Sequence, residues 1–157
     1  MVSEEQFKSA LGRFASGVTI VTTTDESNNP VGLTVTAFAS VSLRPPLVLV
    51  CIDKGANTHS WFSLKSPFVV NILAEGQDAI SSVFASKSVE NRFAEVRYKL
   101  NQHKVPVLDG CLASLECQVG SFYEAGDHTI FVGAVLDATV RDGKPLLYFA
   151  NQYGRLA

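Results

Sequence analysis

The chain has 157 residues, a formal net charge of −2 and 46% hydrophobic residues, which suits one domain with a substantial core, needs no disulfide or metal staple and argues against a disordered chain. The acidic and basic residues are interspersed, so no wide basic face for nucleic acid is expected, although one phosphate in a small pocket remains open. Only 18% of residues are charged, few for a chain that wets its whole surface, and surface buried between subunits is therefore expected.

The N-terminal stretch MVSEEQFKSALGRFASG lacks the basic start and unbroken apolar core of a secretory signal. Ser3 and Gln6 form a capping box, and Phe7, Ala10, Leu11 and Phe14 recur on one face, which predicts a helix ended by Gly17. Val18–Thr24 is rich in β-branched residues and predicts a strand closed by the turn signals of Asp25–Pro30. Strand character resumes over Val31–Leu43, Pro45 and Pro46 interrupt it, and Leu47–Asp53 follows with little alternation.

A short helix over Thr58–Leu64 is expected, then a strand at Phe68–Leu73 and a second helix at Gln77–Ala85 with Ile80, Val83 and Phe84 on its apolar side. Ser86–Leu108 is mixed and polar and reads as a long loop. Ala113–Tyr123 and Thr129–Val140 read as two long strands around an Ala-Gly-Asp turn, with Leu146–Ala150 after them. Strand–helix alternation stops after residue 85, and no Gly-rich Rossmann or P-loop fingerprint is present. The expected fold is mainly β: a closed or nearly closed antiparallel barrel, since closure removes vulnerable edges, with short flanking helices in a single domain over residues 1–157. Apolar runs such as PPLVLVCI are too short to span a bilayer. Cys51, Cys111 and Cys117 have no zinc or dithiol spacing, and a reducing cytoplasm is the expected compartment.

Two segments stand out chemically. In TVTAFASVSLRPP, hydroxyls at Thr34, Thr36, Ser40 and Ser42 repeat with period two, as on one face of a strand. That face either meets solvent or offers hydrogen bonds to a planar, heteroatom-rich ligand, with small Ala37 and Ala39 allowing close approach. In DKGANTHSW, Lys54, Asn57 and Thr58 lead from a strand into a short helix; this is either an ordinary cap or a seat for a phosphate ester. His128, beside Asp127, either satisfies a turn or faces a substrate across a cleft. No metal motif, hydrolase elbow or spaced nucleophile appears, which favours chemistry supplied by a cofactor, such as hydride transfer.

Five pieces in order, GVTIVTT, GLTVTAFASVSLRPPLVLVCIDKGANTH, SPFVVNILAEGQ, GDHTIFVGAVL and PLLYFANQYGRL, resemble the short-chain NAD(P)H:flavin oxidoreductases of the flavin reductase-like, FMN-binding split-barrel family. The resemblance runs from about Phe14 to Leu156. It implies a six-stranded antiparallel split β-barrel with a Greek-key connection, a homodimer, and flavin near the subunit interface. It implies that Thr34, Thr36, Ala37, Ser40 and Val41 hold the isoalloxazine and ribityl chain with Cys51 beside them. Lys54, Asn57 and Thr58 would take the ribityl and phosphate end, and Arg92 and Phe93 the phosphate or adenine side. His128 would meet the nicotinamide, and Tyr153 and Arg155 would close the site from the C-terminus. The implied activity is hydride transfer from NADH or NADPH to flavin N5, with FMN or FAD as flavin, supplying reduced flavin to a separate flavin-dependent monooxygenase. The alternative weighed beside it is an electron carrier with tightly held FMN and no nicotinamide turnover. Neither nucleic acid nor membrane is an expected partner.

Overall fold

The structure, a computed structural model, describes residues 1–157. Helix α1 spans Glu4–Leu11, and the capping box is present: Ser3 Oγ accepts from Gln6 N, and Gln6 Oε1 accepts from Ser3 N. The helix ends at Gly12 rather than Gly17, and it buries none of its residues. The strands are β1 (Ser16–Gly17), β2 (Thr19–Thr24), β3 (Pro30–Val35), β4 (Phe38–Leu43), β5 (Pro46–Asp53), β6 (Pro67–Ile72), β7 (Tyr98–Leu100), β8 (Pro106–Leu108), β9 (Ala113–Ala125), β10 (His128–Val140), β11 (Leu147–Phe149) and β12 (Gln152–Gly154). A 3-10 turn covers His59–Trp61, and helix α2 spans Asp78–Ala85. No helix is long and apolar enough to cross a membrane.

The expected six-stranded closed split barrel is not what forms. Seven antiparallel strands make one open sheet in the order β3-β2-β6-β9-β10-β5-β4, beside a three-stranded sheet β1-β11-β12 and the pair β7-β8. The seven-stranded sheet curls enough to bring Leu33, Val35, Val48 and Val50 into one core with Phe62, Phe68 and Phe131, yet its edge strands share no ladder. The expectation of closure rested on unprotected edges, and the chain protects the β3 edge another way. Arg92 Nη1 donates to Gly32 O at 2.7 Å, and Thr34 Oγ1 donates to Ser81 O of α2 at 2.6 Å, so side chains and a helix take up the edge. The β4 edge stays exposed.

The single strand expected over Val31–Leu43 is two. The chain bends at Thr36–Ala37, where Phe38 N donates to Thr36 O and Cys51 N donates to Ala37 O. A bulge between Ser40 and Ser42 then shifts the register of β4 on β5. The bend and the bulge break the period-two face, so the four hydroxyls do not share one surface. The stretch read as a loop, Ser86–Leu108, holds the β7-β8 pair. A second core gathers Val18, Ile20, Leu73, Phe84, Leu108 and Leu146 beneath α2. Phe93 stacks edge-on between Phe84 and Tyr98, with ring centroids 4.9 and 5.3 Å away. Each such large apolar side chain contributes about 1.5–3 kcal/mol by leaving water.

Candidate functional site

The edge strand β3 runs along two clefts, each of roughly 200 Å³. The first meets its start, Pro30–Gly32, and is lined also by Asn57, Thr58, Trp61, Lys87 and Arg92. The second meets Thr34 and Thr36 beyond its other end, with Ser81, Tyr148 and Tyr153. At about 3.3 Å per residue, the stretch from Pro30 to Thr36 is on the order of 20 Å long, and it offers an elongated ligand two seats in line.

In the first cleft the decisive group is Thr58. Its side chain is 6% exposed, and its Oγ1 is buried without any hydrogen-bond partner. An unpaired buried hydroxyl costs about 1–3 kcal/mol, a cost that a ligand oxygen placed in the cleft would remove. Two cations line the same cleft, Lys87 and Arg92, against one acid, Glu90. The Arg92 guanidinium is held by carbonyls alone, Gly32 O and Ser86 O at 2.7 and 2.8 Å. Burial pushes its pKa down, and no carboxylate is paired with it. An anion with several oxygen acceptors fits this donor set.

Lys54 stands elsewhere. It pairs with Glu124 at 2.5 Å and donates to Gly126 O at 2.9 Å, so its charge is spent on the turn between β9 and β10. The hydrogen bond and charge of Lys54 hold the Glu124 carboxyl below the usual range. The cation that joins Arg92 in the cleft is Lys87, which sequence reasoning missed because Ser86–Leu108 shows no period on which to place it.

Around the second seat, Thr36, Ala37, Ser40 and Val41 are exposed and Thr34 is half-buried. Ala37 O accepts from Cys51 N. In the β5-β10 ladder Cys51 lies opposite Ile130 and Asp53 opposite His128. Directly opposed residues share a face, so Cys51 and His128 stand on the outer face of the sheet while Ile52, Thr129 and Phe131 point into the core. Burial raises the Cys51 thiol. His128 Nδ1 lies 2.7 Å from Asp127 Oδ1; the carboxylate, itself lowered by that contact, accepts the Nδ1 proton and leaves Nε2 as a bare acceptor in the neutral ring.

Tyr153 OH meets Ser81 Oγ at 2.8 Å and Ser82 Oγ at 3.4 Å, and its ring packs on Tyr148. The C-terminal hairpin is thereby pinned to α2 at the wall of the second cleft. Arg155 faces Glu75 across 3.9 Å and lines neither cleft. Phe93 lines the first cleft while its ring belongs to the second core. The structure therefore brings Asn57, Thr58, Arg92 and Phe93 together at one seat and Thr34, Thr36 and Tyr153 at the other. Ala37, Cys51 and His128 run along the adjoining outer face.

Residues 11–157 match the family described as flavin reductase like domain. FMN reductase (NADH) SmoA of Agrobacterium fabrum is 41% identical over 155 residues, covering 99% of this chain and 87% of that protein. The reductase component of a flavin-dependent trigonelline monooxygenase from Acinetobacter baylyi is 38% identical over 148 residues, covering 94% of this chain but 47% of that protein. Among solved structures, the NADH:FAD oxidoreductase SgcE6 of Streptomyces globisporus, in complex with NAD and FAD fragments, aligns with a TM-score of 0.91 at 37% identity, over 100% of this chain and 96% of that chain.

Proposed function

The chain belongs to the flavin reductase-like domain family, and on that premise we propose that the two clefts along β3 seat a flavin and that His128 receives the nicotinamide. The protein is an NAD(P)H:flavin oxidoreductase, the reductase component that supplies reduced flavin to a partner monooxygenase. FMN or FAD is the flavin, and NADH or NADPH the hydride donor.

The observation that carries the pose is the unpartnered Thr58 hydroxyl beside Arg92 and Lys87. These groups hold the flavin phosphate, with Asn57 at the same seat. Thr34, Thr36, Ala37 and Ser40 receive the ring system and ribityl chain, Val41 and Cys51 border it, and Tyr153 walls the far end. Flavin, when bound, supplies the acceptor for the hydride carried on C4 of the reduced nicotinamide, at its N5. The residues supply placement. The bare Nε2 of His128 accepts from the nicotinamide carboxamide N–H and sets the ring over the site without itself giving up a proton. The open outer face lets both ligands enter and leave, which suits a protein that releases reduced flavin.

We also infer a homodimer. Thr36, Ala37, Ala39, Ser40 and Val41 are exposed on the single chain and would leave a flavin ring half wet, and α1 presents Phe7 and Leu11, with Phe14 just after it, and nothing lies over them.

Thr58→Val tests the pose. It removes a hydroxyl that has no protein partner, so the thermal midpoint is expected to hold or rise. The FMN dissociation constant, from quenching of flavin fluorescence, is expected to rise about tenfold or more, the loss of one hydrogen bond to a charged group. Anaerobic bleaching of FMN by NADH should recover at saturating flavin. A variant that binds FMN as tightly as the parent overturns the placement of the phosphate.

A further inference from the structure

His59 follows the phosphate-seat residue Thr58 in the chain, yet its side chain turns the other way. Its Nε2 lies 2.8 Å from Thr129 Oγ1, and its ring packs edge-on against Phe131 with centroids 5.8 Å apart at 60°. Thr129 is 1% exposed and is the residue after His128. Thr129 Oγ1 in turn donates to Glu124 Oε1 at 3.4 Å. Since that hydroxyl has one proton and gives it to the carboxylate, His59 must be the donor at Nε2. The chain of bonds then runs from His59 through Thr129 to Glu124, and Lys54 closes it on Glu124. Lys54 also holds the intervening turn, through Nζ to Gly126 O and through its backbone N–H to Asp127 O, both at 2.9 Å.

The turn that carries Asp127 and His128 is therefore fastened on both sides. Lys54, just past the end of β5, grips its tip, and His59 grips the first inward-facing residue of β10. Successive residues of a strand point to opposite faces. Fixing Thr129 against the inner face consequently fixes the direction in which His128 leaves the outer face. The ladders to β5 and β9 hold the backbone at the start of β10, but only His59 and the longer contact to Glu124 hold the Thr129 side chain, so His59 sets how that residue seats against the inner face.

We propose that His59 is a positioning residue for hydride transfer: through the Thr129 hydroxyl it sets the orientation of His128 toward the nicotinamide. The inference rests on the reading of His128 given above. It also makes Lys54 a clamp on the same turn, and it links the flavin phosphate seat to the nicotinamide side through two adjacent residues, Thr58 and His59.

The test uses His59→Ala, His59→Gln, Thr129→Val and His128→Ala in the full chain. Long-range ¹H–¹⁵N spectra of the flavin-free protein read the His128 ring directly, and steady-state kinetics with FMN read NADH. His59→Ala and Thr129→Val are expected to shift or broaden the His128 signals away from the single Nδ1–H tautomer. The same variants are expected to raise the NADH KM about tenfold, the loss of one hydrogen bond's worth of placement, with the FMN dissociation constant changed less than about twofold. His59→Gln keeps a side-chain N–H and is expected to restore both readouts. If His128→Ala raises the NADH KM but His59→Ala and Thr129→Val leave KM and the His128 spectrum unchanged, the positioning role is overturned and the reading of His128 stands. If His128→Ala itself leaves the NADH KM unchanged, the reading of His128 fails, while the spectra still report whether His59 orients that ring. Equal loss in His59→Gln and His59→Ala also overturns the role, since only packing would then be at stake.

Discussion

At the scale of single residues, the thiols set how stability responds to alkali. Burial pushes Cys111 up to about 11, and burial with the neighbouring Glu116 carboxylate pushes Cys117 up to about 12. In the unfolded chain both ionise near about 8.5. Above that pH the unfolded chain releases protons that the folded chain keeps, so the folded state is increasingly penalised. Stability is therefore full below about pH 8.5 and falls as pH climbs toward the folded values, by about 1.4 kcal/mol per pH unit for each thiol. Urea unfolding between about pH 9 and 10.5 should show this decline, and Cys117→Ala should have a visibly shallower slope even though its cavity lowers stability at every pH. Parallel slopes would mean that the thiol does not stay protonated in the fold. Cys117 lies in a strand pattern, where a free cysteine is usually a small buried hydrophobe, and it is buried. Cys51 sits in an equally apolar run yet is only half-buried, because the bend at Ala37 leaves the outer face of β5 uncovered. A bend of that kind depends on backbone pairing across the sheet, and no local pattern announces it.

At the scale of elements, Asn71 ties four strands together. It is fully buried on β6, donates to Ile20 O and Thr22 Oγ1 at 2.9 and 3.2 Å, and accepts from Leu108 N and Ser114 Oγ at 2.9 and 3.4 Å. Thr22 Oγ1 adds a bond to Pro106 O, so β8 is fastened to the main sheet by side chains rather than by a ladder. Asn71→Ala would strand the Leu108 N–H in the core, at about 1–3 kcal/mol for the unpaired group, and would also remove the bonds to Ile20 O, Thr22 Oγ1 and Ser114 Oγ and leave a cavity. The thermal midpoint should drop by roughly 5–15 °C for a chain of this size, and hydrogen exchange should speed most at β7 and β8. A drop with uniform exchange would place Asn71 in the general core and not at the junction. The same geometry explains which elements sequence reasoning could reach. β2, β5, β6, β9 and β10 announce themselves through β-branched and apolar runs. The β7-β8 pair lies in polar sequence, and what holds it is a contact between Leu108 and an amide 37 residues earlier in the chain.

At the scale of the whole molecule, the open sheet and the open site raise the same question. Closure was expected because it would remove the edges. The chain instead covers the β3 edge with α2 and Arg92 and leaves β4 uncovered, with Val41 and Leu43 exposed by 47% and 81%. Phe7, Leu11 and Phe14 of the α1 region are exposed by 56%, 53% and 77%. A standard interface takes about 800 Å² from each partner, under a tenth of the 9602 Å² that one chain presents, so these surfaces can be buried without disturbing the fold. The low charged fraction already pointed to missing surface, but no pattern in the sequence said that the segment expected to hold flavin and the segment left bare would be the same one. If they are, subunit contact and flavin affinity must be coupled. Light scattering should give twice the 16.9 kDa of the chain. Leu43→Lys, at an exposed edge position where it strains nothing in the single chain, should shift the protein toward monomer and weaken FMN binding about tenfold or more, with the weakening relieved as protein concentration rises. A monomeric Leu43→Lys protein that keeps the parent's FMN affinity at every concentration would mean that one chain completes the site alone. In that case the bare β4 edge would have to be covered by some other partner.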